Sequence, residues 1–309
     1  MRDSRAGRWA PMVCIAVALA AGGATVLAES AEESDDPYQR SIRAWQEDRG
    51  ERLRKPDGWL SLTGLFWLEE GVNTVGRTAD NRIVIPGAGV PDRIGAVRLE
   101  GGRVRFDAAP GSDVLHEGEP VTTIDLASDA DGAPTVLEQG SRRFYVIRRQ
   151  DRFGIRLKDS RSRALREFSG LEYYPIDPAW RVSARFVPAA PGQSLRVPNV
   201  IGTVADQPSP GTVEFERNGR TFRIEALQGS RPTELFLVFG DATNGAGSYG
   251  GGRFLYADVG EGGVDLDFNR SYSPPCVFTP FATCPLPPAV NRLDLRIEAG
   301  EKSYAGGVH

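Results

Sequence analysis

Apolar residues recur along this chain at two periods. Between Tyr38 and Lys55 the residues Tyr38, Ile42, Trp45 and Arg49 fall on one face at spacings of three and four, and Pro56 stops the run. That pattern predicts one amphipathic helix. Beyond it the period drops to two. Val97 and Leu99, then Gly101-Gly102, then Val104 and Phe106 read as a hairpin, as do Val213 and Phe215 before Asn218-Gly219 with Phe222, Ile224 and Ala226 after it. An Asn-Gly pair between alternating strands marks a tight turn because both residues must take positive φ. Further strands are predicted at 144–149, 153–158, 180–187, 235–239, 253–259, 264–268 and 293–298. The run Leu235–Phe239 is continuously apolar and is expected to be buried on both faces. Strands every 8–15 residues with turn signals between them predict an all-β, mainly antiparallel protein of β-sandwich or barrel units. The connection Leu171–Pro178 divides a first unit, the helix plus strands of 38–170, from a second over 171–304, with a short tail at 305–309.

The first 28 residues have a different pattern. Arg2, Arg5 and Arg8 precede an apolar stretch from Met12 to Ala21 and a small-residue zone ending at Ala28. This is the build of a signal peptide cleaved near Ala28, so the mature protein is expected to be exported, periplasmic or extracellular. Residues 29–37 are acidic and apolar-poor, a linker expected to be disordered. No later apolar run is long enough for a membrane helix.

Composition narrows the function classes. The 309 residues carry 37 basic and 41 acidic groups; loss of the leader, with three Arg and one Asp, leaves a net charge of −6. That balance gives no electrostatic footprint for nucleic acid. Two His residues exclude a multi-His metal centre, and no cofactor is expected. The mature chain retains Cys276 and Cys284 inside a proline-rich frame, and in an exported protein such a pair is expected to form one disulfide.

Several motifs fail on inspection. Gly245-Ala-Gly-Ser-Tyr-Gly250 spells a dinucleotide fingerprint, but a strand-like Arg253-Phe-Leu-Tyr follows where a helix is required. Ser248 imitates a nucleophile elbow without a base, since His116 lies in the other unit and His309 is terminal. Asp265-x-Asp267-x-Asn269 lacks the Gly and the Glu of a calcium loop. Gly71 to Arg77 with Asn81–Ile85 resembles the opening of a forkhead-associated domain, yet Gly95-Ala-Val-Arg98 lacks the Ser and His that hold a phosphate. What remains is a concentration of polar residues near strand ends in the second unit: Asp241, Thr243, Tyr249, Arg253, Asp267, Asn269, Arg270, Glu301 and Lys302. These are the candidate binding residues.

Longer segments carry a family resemblance. Gly58-Trp-Leu-Ser-Leu-Thr-Gly-Leu65, Phe239-Gly-Asp-Ala-Thr243 with Ser248 to Phe254, Asp267-Phe-Asn-Arg270, the Pro274–Pro288 stretch, Asn291-Arg-Leu293 and Ala299-Gly-Glu-Lys302 with Tyr304 resemble the bacterial domain-of-unknown-function family 1684 over most of 38–304. Ser273 departs from the pattern, standing where the family has Asn. The resemblance implies no activity.

The expected function is binding of a small molecule, glycan or lipid in a polar-lined pocket of the second unit. One alternative is a carboxylate-based hydrolase using Asp241 and Asp267 on an extracytoplasmic glycan or ester. The other is a structural envelope component with Gly58–Trp67 as a contact strip.

Overall fold

The computed structural model describes residues 36–307; the expected leader and nearly all of the acidic linker lie outside the described residues. The helix runs Pro37–Arg54, with Ile42, Arg49 and Leu53 on its buried face. Gly58 follows because the chain doubles back against the helix end: a Cβ there would stand 2.8 Å from the Arg52 carbonyl oxygen.

Two antiparallel-rich sheets follow. One orders its strands Leu62–Trp67, Arg152–Asp159, Arg142–Arg149, Leu137–Gln139, Leu115–His116 and Glu119–Pro120. The other orders Ile83–Val84, Gly71–Gly76, Gly95–Glu100, Arg103–Ala108 and Thr123–Asp125. Their inner faces share one core that includes Val75, Val97, Phe106, Phe144, Val146 and Ile155. Phe106 and Phe144 meet edge to face at 5.8 Å.

The second unit is a closed six-stranded barrel of Arg181–Pro188, Gly211–Arg217, Arg220–Gln228, Glu234–Phe239, Arg253–Gly260 and Gly263–Asp267, the last pairing back to the first. Asn218 and Gly219 turn one hairpin with φ of 52° and 70°. The barrel interior is filled by Val213, Phe215, Ile224, Leu235, Leu237, Leu255 and Leu266, with Phe268 against Phe215, Phe239 and Trp180. A small barrel packed this way is a core with no room for a ligand. Strand Glu234–Phe239 is buried on both faces, as its sequence predicts: Leu235 and Leu237 point inward, while Val238 joins a second core outside with Leu195, Val197, Phe254 and both cysteines.

Segment 293–298, predicted as a strand, is not one. Its start pairs only briefly with backbone, the Leu293 N–H donating to the Gly240 carbonyl at 2.8 Å and the Ala242 N–H to the Leu295 carbonyl at 2.9 Å; beyond that, side chains take over, with Arg253 donating to the carbonyl oxygens of Ile297 and Ala299 and the Ile297 N–H reaching the Asp241 carboxylate. No helix of the described residues is long and apolar enough to cross a membrane. Residues 37–307 pack as one unit.

Candidate functional site

The structure divides the nine polar candidates among several settings strung along 241–302. Arg253 is fully buried and all five of its N–H groups are engaged. Nε and Nη2 hold Asp241 Oδ2 at 3.1 and 2.6 Å. Nη2 also reaches the Ile297 carbonyl at 2.9 Å, and Nη1 reaches Ser271 Oγ at 3.1 Å and the Ala299 carbonyl at 2.5 Å. Asp241 Oδ1 accepts from the Thr243 N–H at 2.8 Å and its hydroxyl at 2.6 Å. This network pins the 293–299 segment to the barrel and leaves no donor for a ligand.

Asp267 and Asn269 form a second cluster around the helix start. Tyr38 donates to Asp267 Oδ1 at 2.9 Å, Asn269 Nδ2 donates to the Tyr38 hydroxyl at 2.8 Å and to the Asp177 carbonyl at 2.9 Å, and Arg270 lies 3.5 Å from Asp267. Burial and the neighbouring Asp267 push the Tyr38 phenol above its usual value. Glu301 is fully buried elsewhere, taking Arg49 Nε at 3.3 Å; burial pushes its carboxyl up while Arg49 pulls it down. Lys302 sits over the Tyr174 ring at 5.5 Å. Tyr249 packs on the cysteines. The nine residues do not surround one hollow.

A cavity of about 530 Å³ lies where the helix, the first sheet and the outer wall of the barrel meet. That is an ordinary size for a small-molecule site. Trp45, Arg49 and Arg52 come from the helix, Trp59 from the turn after it, and Arg149 and Arg156 from adjacent strands of the first sheet. The barrel side contributes Phe236, Phe254 and Tyr256, and the loop beyond it Tyr272, Thr283 and Cys284. Phe236 stacks on Tyr256 at 4.9 Å, Tyr256 on Tyr272 at 6.3 Å, and Trp45 stands 6.4 Å from Tyr272. The wall is therefore aromatic, with four arginines and no acidic side chain.

Three of these arginines have carboxylate partners outside the cavity: Arg49 with Glu301, Arg52 with Asp48, and Arg149 with Asp129 at 2.9 Å. Arg156 differs. It is 4% exposed, it makes no ion pair among the described residues, and its Nε has no hydrogen-bond partner. Its only contacts of note are Thr283 Oγ1 at 3.5 Å from Nη2 and the Trp59 ring 5.4 Å from Cζ. Arg149 Nε donates to the same Thr283 hydroxyl at 3.0 Å.

Local sequence explains why Arg156 is there. In strand Arg152–Asp159 every residue from Gly154 to Leu157 is buried. Ile155 and Leu157 face the sandwich core. Period-two alternation then turns Arg156 to the opposite face, which the barrel and the helix cover. The sequence reading places a strand at 153–158 and does not single out Arg156, because alternation with a polar residue on the second face ordinarily means exposure. For Arg49 a signal existed: it shares the helix face with Ile42 and Trp45.

Cys276 and Cys284, expected as a disulfide, are two buried free thiols in the structure. Cys284 Sγ accepts the Cys276 backbone N–H at 3.1 Å. The Cys284 thiol and the Tyr249 hydroxyl donate to Cys276 and hold it below the usual thiol value; the same contact with burial pushes Cys284 up.

A family model described as a protein of unknown function (DUF1684) matches residues 166–302, and this part of the chain is a domain of that family. The match spans the barrel and the cysteine loop; Arg149 and Arg156 lie before it. Among solved structures, the chain is similar to an uncharacterized protein from gene locus rrnAC0354 of Haloarcula marismortui, at 31% identity over 44% of this chain and 78% of that one, with a TM-score of 0.37. It is also similar to the FhaA FHA domain complexed with the intracellular domain of Rv3910, at 22% identity over 30% of this chain and 97% of that one, TM-score 0.22. A third is Mycobacterium tuberculosis EmbR in complex with a low affinity phosphopeptide, at 13% identity over 40% and 31% of the two chains, TM-score 0.21. No curated protein matches.

Proposed function

We propose that this protein binds a small anionic molecule with an apolar or ring-bearing body in the cavity between its two β units. The observation that carries this reading is Arg156. An isolated buried cation costs a protein several kcal/mol, and buried arginines are ordinarily paired. Contact with the Trp59 face returns about 1–2 kcal/mol of that. A carboxylate or phosphate between Arg156 and Thr283 would supply the missing counter-charge and occupy the free Nε, with the fork geometry that Arg offers such groups. The aromatic wall then gives the rest of the ligand its apolar surface.

The proposal moves the site from the 241–302 polar cluster to the junction, and it keeps the ligand class of a small molecule. It also keeps export: the leader predicts a mature chain outside the cytoplasm, where the two adjacent thiols would rest as a disulfide. The hydrolase alternative draws no support from the geometry, because Asp241 is locked in a buried ion pair and Asp267 is hydrogen-bonded to Tyr38 and Asn269.

The test is a thermal-shift and calorimetric panel of aromatic and aliphatic acids and phosphates, each run beside its neutral amide or alcohol. Acids are expected to bind, with Arg156→Gln weakening them about 10–100-fold, as loss of charge-assisted hydrogen bonds implies. Equal behaviour of acids and their neutral partners would refute the assignment.

A further inference from the structure

The arginines of the cavity wall do not have equal counter-charges. Arg52 and Arg149 face Asp48 and Asp129, whose side chains are 57% and 21% exposed and so keep enough water to stay ionised. Arg49 faces Glu301, which is fully buried. One contact joins that pair, Arg49 Nε to Glu301 Oε2 at 3.3 Å, while Arg49 Nη2 is given to the Ser273 carbonyl at 3.0 Å. Glu301 Oε1 has no hydrogen-bond partner, and neither has the Ser273 hydroxyl. An ionised carboxylate offers about four acceptor sites, and burying it with one of them filled is costly. The neutral acid avoids that cost, and burial pushes the group in the same direction. The other titratable side chains near Glu301, Tyr173 and Tyr272, are phenols held above their ordinary value, so they add no negative charge. Arg49 is then a second guanidinium without a counter-charge. It lines the same cavity as Arg156, and its Nη1 makes no hydrogen bond among the described residues.

We propose that the ligand of this cavity is a diacid, with two acidic groups set apart on an apolar or ring-bearing body, one held by Arg156 and the other by Arg49. The proposal rests on the binding reading above and adds the ligand's charge and the spacing of its acids. The two guanidiniums come from different elements and lie over different rings. Arg156 stands over Trp59 at 5.4 Å, and Arg49 over Tyr272 at 4.8 Å and Phe278 at 5.7 Å. The unmet charges thus occupy separate parts of the wall, with aromatic surface to take the body that joins the acids. Four guanidiniums set against Asp48 and Asp129 leave two positive charges. A monoacid meets one of them and a diacid meets both, and a second charge-assisted contact is worth about 10–100-fold in affinity.

The experiment is titration calorimetry on the mature chain at about pH 6.5, where simple carboxylic acids are ionised. The probes are isophthalate, terephthalate and biphenyl dicarboxylate, which set the two acids at increasing separation. Each is run beside its own monoamide, a molecule of the same shape with one charge fewer. Benzoate and benzamide form the pair that reads a single anion. At least one diacid is expected to bind about 10–100-fold tighter than its monoamide. Arg49→Gln should bring that ratio down to about two, the statistical advantage of two equivalent ends. Glu301→Gln, neutral at every pH, should keep the wild-type ratio. A ratio that climbs about tenfold in Glu301→Gln would show that Glu301 is ionised in the native protein and would overturn the proposal. Diacids no better than their monoamides, with benzoate still ahead of benzamide, would also overturn it and would leave the reading of one anion at Arg156 standing. Benzoate no better than benzamide, with the diacids equally indifferent, would sink both. The wild-type ratios alone decide this if a variant fails to fold.

Discussion

Arg156 and Arg253 are both buried, at 4% and 0% exposure, yet their surroundings predict opposite responses to removal of charge. Arg156→Met keeps most of the unbranched stem while deleting the guanidinium. The variant loses the contact with the Trp59 ring and a hydrogen bond to Thr283 at the 3.5 Å limit. It gains relief from desolvating an unpaired cation. Exchange of buried ionic groups for apolar ones of similar volume is often stabilising by about 1–4 kcal/mol, and the lost ring contact lowers that range to about 1–3 kcal/mol here. At roughly 2–4 °C per kcal/mol for a protein of this size, the melting temperature of the unliganded protein should rise about 2–12 °C. Asp241→Asn is the contrast: it leaves Arg253 buried against a neutral amide and should destabilise by about 3–5 kcal/mol. Urea unfolding followed by tryptophan fluorescence measures both. If Arg156→Met loses more than about 1 kcal/mol, Arg156 is a structural residue like Arg253, and the argument from an unmet charge is refuted.

Three further outcomes follow from the same geometry. Phe268→Ala, which empties the aromatic cluster in the barrel beside Phe215, Phe239 and Trp180, should lower the unfolding free energy by about 3–5 kcal/mol in urea titration. Burial holds the Glu301 carboxyl above its ordinary value of 4.5, so the native state binds this proton more tightly than the unfolded chain does, and the group's contribution to stability is lost as pH rises through the raised value. Glu301→Gln removes that loss, and its stability relative to wild type should improve between about pH 5 and about pH 8; a difference that is flat or moves the other way would sink the assignment. Protein secreted by an expressing cell and alkylated without reductant should keep an unchanged mass, as a Cys276–Cys284 bond requires, whereas two added alkyl groups would show that the thiols stay open outside the cytoplasm.

Much of the architecture was legible in the sequence because local pattern and tertiary environment agree. The helix spans Pro37–Arg54 against an expected 38–55, and both glycine-containing turns fall where the alternation breaks. The double burial of Leu235–Phe239 was readable from an unbroken apolar run. The failure at 293–298 has a specific cause: alternation is present, but backbone pairing with residues 240–242 stops after Leu295, and the buried Arg253 and Asp241 take the backbone groups of Ile297. The site was read less well, for a related reason. Clusters such as Asp241, Thr243 and Arg253 look like ligand chemistry in sequence, and only coordinates show that each polar atom is already matched within the fold. Arg156 carries the reverse signature. Its strand was foreseen, but which surface covers the second face of that strand depends on how the barrel docks, and no local pattern encodes that. Arg49, lying in the helix's apolar stripe, was the one visible hint that cations turn inward here.

The most direct test is a crystal of the protein soaked with iodobenzoate, whose iodine locates the ring by anomalous scattering. The account predicts the carboxylate within hydrogen-bond distance of Arg156 Nε and the Thr283 hydroxyl, with the ring among Trp45, Tyr256 and Tyr272. A cavity that stays empty at saturating probe, or an Arg156 guanidinium paired with a carboxylate of the protein itself, would contradict it.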